Sequence, residues 1–214
     1  MPEPTILARG PWAPEQVSMA WRDDAWDPPA AGTERADAVL AGLRDRGSPA
    51  HDGLAARLAG FTVDDGHLSL ELQPVRWALR LVPEHAADSL SASCVVRDAD
   101  GRWLAGRRAG WVATWAGKWA LGAAGSVEVG ENPVETLGRE LEEEWSVIPD
   151  RLSVEALVRN ESGLVFIVGV ALVATDAEVT PDAEHDAYAW WPADPADWPA
   201  EAHPPLRRQA ALLV

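Results

Sequence analysis

The chain has 214 residues, 47% hydrophobic and 24% charged, a composition that supports one sizeable globular core. Its formal net charge is −16 with no run of Lys or Arg, so its surface repels nucleic-acid phosphates and anionic lipid; polymeric nucleic acid and membrane surfaces are excluded as partners. A small anionic substrate stays open, because a bound divalent cation reverses the local field.

Cys94 is the single cysteine, which rules out an intrachain disulfide and a cysteine metal cage; in the apolar run around Ala92, Val95 and Val96 it reads as a buried, inert thiol. No apolar stretch approaches bilayer length. An opening with Glu3, two prolines and Arg9 does not resemble a signal peptide, so a cytoplasmic location is expected.

Residues 1–50 are rich in Pro, Ala, Asp and Gly and read as irregular, apart from a short helix over Thr33–Arg46 where Ala36, Val39, Leu40 and Leu43 recur at helical spacing. Trp12, Trp21 and Trp26 are expected to lie along the folded body, since indole rings are costly to leave in water. Leu54, Leu58 and Phe61 lead into the turn Asp64-Asp65-Gly66. Leu68, Leu70 and Leu72 then alternate with His67, Ser69 and Glu71 as a half-buried strand, and Trp77, Leu79 and Leu81 extend the alternation past Pro74. Residues 1–88 therefore form an N-terminal extension that ends in a small α+β unit.

From Ser89 the signals sharpen. Ser91–Arg97 reads as a strand, Asp98-Ala99-Asp100-Gly101 as a hairpin turn, and Arg102–Arg107 as the return strand. A Trp- and Gly-rich loop occupies 110–119. One strong helix follows, then two apolar strands around the turn Asn160-Glu161-Ser162-Gly163, of which Leu164–Val173 is expected at the centre of a sheet. Pro-rich sequence from Pro192 to Pro205 leads into a tail, 201–214, with a short helix from Leu206.

The helix carries the chemistry. Asn132, Pro133 and Glu135 form a helix-start signal with Asn as cap and Glu completing a capping box. Val134, Leu137, Leu141 and Trp145 make one apolar stripe. Glu140, Glu143 and Glu144 stand at i, i+3 and i+4 on another face, about 5–6 Å apart at Cβ. Such like charges destabilise a helix slightly, and the helix holds no Lys and only Arg139 to offset them. A solvated acidic face is the plain alternative; a hard cation held by these carboxylates is the functional one.

The surroundings decide between them. Gly125, Glu131, Arg139, Glu140, Leu141, Glu143, Glu144 and Val147 match the spacing of the Nudix hydrolase signature, Gly-x5-Glu-x7-Arg-Glu-U-x-Glu-Glu-x-Gly-U, with U a bulky aliphatic. The departure is Ser146 in place of the last Gly, a position that favours positive φ at the helix end. The hairpin 99–108, the run Gly117-Lys118-Trp119 with Leu121-Gly122, and Glu184 six residues before Trp190 also resemble that family. The resemblance covers about residues 90–200.

It implies an α/β/α sandwich with a mixed sheet over 89–200, preceded by the α+β extension, and hydrolysis of a pyrophosphate linkage in a small nucleoside diphosphate derivative. The implied cofactor is Mg²⁺, with Mn²⁺ as the alternative. Its implied ligands are Glu140, Glu143, Glu144 and the backbone carbonyl near Ala124 or Gly125; Glu131 and Arg139 orient them. The water-activating base is Glu143 or Glu184, with Asp182 or Asp186 as substitutes. Arg107 and Lys118 are expected on substrate phosphates; Arg107 and Arg108 cannot both face inward from one strand. Trp119, with Trp111, Trp115 and Trp190, is a candidate to stack on a base or sugar, at least half of them being expected in the core. His185 reads as incidental. His51-Asp52-Gly53, Arg57-Leu58 and the strand Leu68–Gln73 faintly resemble extensions of Nudix enzymes acting on UDP-sugars, so a nucleotide sugar is one candidate substrate. The rival reading is a Nudix-fold sensor that binds a nucleotide or nucleotide sugar without cleaving it. A related isoprenoid diphosphate isomerase would need a catalytic cysteine, and Cys94 lies in a strand before the box. The reading leaves room for a homodimer.

Overall fold

The computed structural model describes residues 4–48 and 52–213, so Glu3 and the His51 of the UDP-sugar resemblance lie outside the described residues. Strands β1 (Thr5–Trp12) and β2 (Val17–Trp21) precede helix α1 (Ala30–Asp45); β3 (Leu54–Asp64) and β4 (His67–Arg76) follow it. β5 (Leu90–Asp98), β6 (Trp103–Arg108), β7 (Trp119–Leu121) and β8 (Ala123–Ser126) lead into α2 (Pro133–Trp145). β9 (Arg151–Arg159), β10 (Val165–Val173), β11 (His185–Trp191) and α3 (Pro204–Leu212) complete the chain.

The apolar run of β10 lies inside the main sheet, parallel to β5 and antiparallel to β9. The strand order is β1-β9-β10-β5-β6-β11, with β8 laid on β5 and β7 on β6. Side chains alternate across the sheet. Ala92, Cys94 and Val96 of β5 share a core with Leu137 and Leu141 of α2, whereas Val95 faces Leu206 and Ala210 of α3 on the opposite side. Helices on both faces of a mixed sheet make the expected α/β/α sandwich. The turn from β7 to β8 requires glycine: Gly122 has φ +58°, and a Cβ there would lie 1.9 Å from the Cys94 carbonyl oxygen.

Two expectations for the extension are corrected. Thr5–Trp12 and Val17–Trp21 are not irregular: the first is an edge strand of the main sheet, antiparallel to β9, and the second pairs in parallel with β4. Along Thr5–Trp12 four residues are exposed and only Trp12 is buried, so the edge strand shows no clean alternation. Trp77–Leu81 is a 3-10 helix rather than more strand; Ala78 and Leu79 are both buried against Ala36 and Leu40 of α1, which alternation forbids.

The small sheet β2-β4-β3 is stitched to the main body through backbone. Ala56 N–H donates to the Val127 carbonyl at 2.8 Å and Leu58 N–H to the Asp88 carbonyl at 2.9 Å. Leu58, Leu68, Leu70 and Leu72 join the same apolar cluster as β5 and α2. Trp12 is buried in that cluster, Trp21 packs on its edge, and Trp26 packs beside α1. Among the described residues no helix is long and apolar enough to cross a membrane.

Candidate active site

Helix α2 starts where the sequence marks it. The Asn132 side chain accepts from Val134 N–H at 3.0 Å with Pro133 in the first turn, although Glu135 stays exposed instead of closing a capping box. The stripe Val134, Leu137, Leu141 and Trp145 is buried, and Trp145 Nε1 donates to the Gly122 carbonyl at 3.0 Å, fixing the helix against the β7–β8 turn. Ser146 takes the left-handed conformation expected of the missing Gly, φ 55°, and its N–H closes on the Glu142 and Leu141 carbonyls.

The last carbonyls of α2 have no partners within the helix. Thr180 N–H donates to Trp145 O and Asp182 N–H to Glu144 O, both at 2.9 Å. This pins the loop after β10 to the helix end and brings Asp182, Glu184 and His185 beside the helix.

A cleft of about 290 Å³ results, lined by Glu140, Glu143 and Glu144 from α2, Ala124 and Gly125 from β8, and Asp182 and Glu184 from the loop. Arg139 gathers the acids. It donates to Glu131 Oε1 at 2.8 Å, Glu140 Oε1 at 2.8 Å and Glu143 Oε2 at 3.0 Å. Burial works against the Glu131 carboxylate, yet Arg139 and the Glu128 N–H hold it below its ordinary pKa. Arg139 thus bridges Glu131 to two carboxylates of the helix.

Glu140 and Glu144 are buried and lean onto β8; Ala124 N–H donates to Glu144 Oε1 at 3.2 Å. Gly125 leaves the space that the Glu140 carboxylate fills, since a Cβ would lie 1.8 Å from its Oε1. Burial, and then Glu140, pushes the Glu144 carboxyl up to about 8; burial likewise raises Glu140. Glu144 Oε2 has no hydrogen-bond partner. Two buried carboxylates side by side, one with an orphaned oxygen, suit a hard divalent cation, which would draw both into the ionised form. Glu143 differs from the expected three-way convergence: its side chain is 59% exposed at the cleft rim, held there by Arg139. Among the described residues no three acidic, His or Cys side chains close into a ready-made metal cage. Mg²⁺ needs none, because it takes one or two carboxylates and fills its other positions with water and phosphate.

The residues expected on substrate fall elsewhere. Arg107 projects from β6 away from the cleft and pairs with Asp186 at 2.6 Å, while Arg108, one position on and hence on the other face, lines the cleft and donates to Glu184 Oε2 at 2.8 Å. Trp119 packs on Trp191 at 5.4 Å in the core beneath α3. Lys118 is exposed in the loop outside the cleft lining. Of the other rings, Trp111 lines the cleft, Trp115 is exposed, and Trp190 packs on the core.

Three features escape the sequence reading. His185 is buried against Trp145 at 4.5 Å between ring centroids, within hydrogen-bond distance of Asp182 Oδ1 at 3.1 Å, and 3.7 Å from Glu144 Oε2. Burial lowers its pKa, so it stands neutral beside that carboxyl. Trp77 and Arg80, both from the extension, line the cleft as well. No local pattern announces either, because their segment reads as strand.

The NUDIX domain matches residues 88–213 of the chain. Similar solved structures include the MutT protein of Methanosarcina mazei Go1, 26% identical, covering 57% of this chain and 93% of that one with a TM-score of 0.45. The NUDIX domain of Shewanella oneidensis NrtR, solved with ADP ribose, is 25% identical, covers 58% and 87%, and has a TM-score of 0.46. The MutT NUDIX hydrolase of Burkholderia pseudomallei is 23% identical, covers 59% and 98%, and has a TM-score of 0.47. None of the curated proteins compared with the sequence matches it. The domain match spans more than half of the chain and contains the whole glutamate helix with its preceding loop. The chain belongs to the NUDIX domain family.

Proposed function

We propose that the protein cleaves the pyrophosphate linkage of a small nucleoside diphosphate derivative, with Mg²⁺ or Mn²⁺ held by Glu140 and Glu144, by Glu143 at the rim, and by the backbone carbonyl of Ala124 or Gly125. The observation that carries this reading is the pair of buried carboxylates under the cleft, one with an unpartnered oxygen. When bound, the cation polarises phosphoryl oxygens and lowers the pKa of a coordinated water.

The chain's own residues supply the rest. Arg139 holds Glu140 and Glu143 in place while neutralising part of their repulsion. Glu143 is the better proton acceptor of the two candidates. Glu184 is paired with its own cation, Arg108, at 2.8 Å, whereas Glu143 stands at the open rim and shares Arg139 with two other carboxylates. Trp111 offers an exposed ring at the cleft for a base or sugar. A nucleotide sugar is one candidate substrate class.

The test is release of a nucleoside monophosphate or phosphate, with Mg²⁺ present, across a panel of nucleotide sugars, dinucleotides and nucleoside triphosphates. At least one compound should turn over, and Glu143→Gln should slow it by roughly 10²–10⁴-fold. Tight binding of one compound with no turnover of any would replace this reading with the sensor.

A further inference from the structure

Two guanidinium groups, Arg80 and Arg108, line the cleft and a third, Arg139, lines the cavity beside it; they are not equivalent. Arg139 is engaged by Glu131, Glu140 and Glu143. Arg108 is engaged by Glu184, with its Nε on the Thr114 carbonyl. Arg80 stands on the 3-10 helix Trp77–Leu81 of the extension and has no carboxylate within salt-bridge distance among the described residues. Its one hydrogen bond there runs from NH2 to the hydroxyl of Ser91, a neutral acceptor, at 2.7 Å. Its guanidinium lies 5.7 Å from the centroid of the Trp77 ring.

An arginine carries five N–H donors. None of Arg80's nitrogens is a buried orphan, so the N–H groups without a protein partner open onto the cleft that it lines. Ser91 and the Trp77 ring hold the group in place; Trp77 is itself fixed by Nε1 donating to the Ser126 hydroxyl at 2.9 Å. A preorganised guanidinium with free donors, in a cleft whose other charged residues are mostly acidic, suits a multiply charged oxyanion and repels a free cation.

Resting on the hydrolase reading, we infer that Arg80 is a substrate-binding residue supplied by the N-terminal extension, donating to phosphate oxygens of the diphosphate opposite the glutamate helix. It is the cation that the expected Arg107 and Lys118 do not provide. The extension thereby forms one wall of the substrate site.

The probe is inorganic pyrophosphate with Mg²⁺, titrated calorimetrically into the full chain and into Arg80→Gln and Arg80→Lys, with Mn²⁺ binding measured separately without pyrophosphate. Expected is a loss of pyrophosphate affinity of about 10–100-fold for Arg80→Gln and a smaller loss for Arg80→Lys, which keeps charge but not the planar fork. Mn²⁺ affinity should hold or rise, since a neighbouring positive charge is gone. On any compound the wild type cleaves, KM should rise far more than kcat falls. If either folded variant binds pyrophosphate as the wild type does, or if the wild type does not bind it, the assignment to Arg80 is overturned. If binding depends on Arg80 while no panel compound is cleaved, the phosphate assignment stands and the hydrolase reading fails.

Discussion

Gly125→Ala tests the site at its tightest point. The added Cβ would lie 1.8 Å from Glu140 Oε1, 2.1 Å from Cδ and 2.4 Å from Oε2. Comfortable contact begins near about 3.5 Å, so the carboxylate must retreat by roughly 1.5–2 Å. The obstructing atoms are the tip of a side chain and not backbone, so the fold can absorb the change. Overpacking of this kind typically costs about 1–3 kcal/mol. Two effects offset it: alanine in a strand is favoured over glycine by about 0.5–1 kcal/mol, and a carboxyl whose pKa burial had raised is displaced toward water. The melting temperature should therefore move by only a few degrees.

Function should respond far more. A displacement of about 1 Å in a catalytic constellation costs roughly 10²-fold in rate, and disturbing a ligand's support costs about 10–100-fold in metal affinity. Calorimetric Mg²⁺ titration, hydrolysis kinetics and thermal melting on the same preparation separate these effects. Unchanged metal affinity and rate in a protein that melts normally would refute the assignment of Glu140 to the cation.

Two further outcomes follow from the same geometry. Glu144 has a folded-state pKa raised from 4.5 to about 8, so without metal it bears a growing stability cost as pH rises from about 4.5, levelling off above 8. Below 4.5 it is protonated in both states and costs nothing. Metal-free Glu144→Gln should gain stability over the wild type at pH 7.5 and little at pH 4, read by denaturant melts; equal gains at both would contradict the burial argument. Ser146→Gly should stabilise the protein by about 1 kcal/mol by relieving a left-handed non-glycine residue, raising Tm by roughly 2–4 °C in a chain of this size. A lower Tm would show that Ser146 carries a compensating contact.

Much of the fold was legible because its signals are local. The cap at Asn132, the apolar stripe and the glutamates at i, i+3 and i+4 are set by helical geometry alone, and the apolar run of β10 declares burial on both faces. What was illegible depends on distant partners. Thr5–Trp12 becomes a strand only because β9 offers it an edge. Alternation along β6 says that Arg107 and Arg108 part ways, but their phase is set by pairing with β11; a shift of one residue would exchange them. His185 looks incidental in an acidic loop until that loop is pinned to the carbonyls at the end of α2. Arg80 is invisible for the same reason: its role comes from where α1 seats the 3-10 helix.

The backbone bond from Ala56 to the Val127 carbonyl ties the front third of the polypeptide directly to the loop that feeds the glutamate helix. Residue 88 therefore marks where a family likeness begins and not a seam along which the molecule parts. A fragment cut there would lose the wall bearing Arg80, leave the Arg151–Arg159 ladder without its neighbour and bare the leucines beneath the small sheet. Such a fragment would present an open, sticky margin to its own copies before it ever met a substrate.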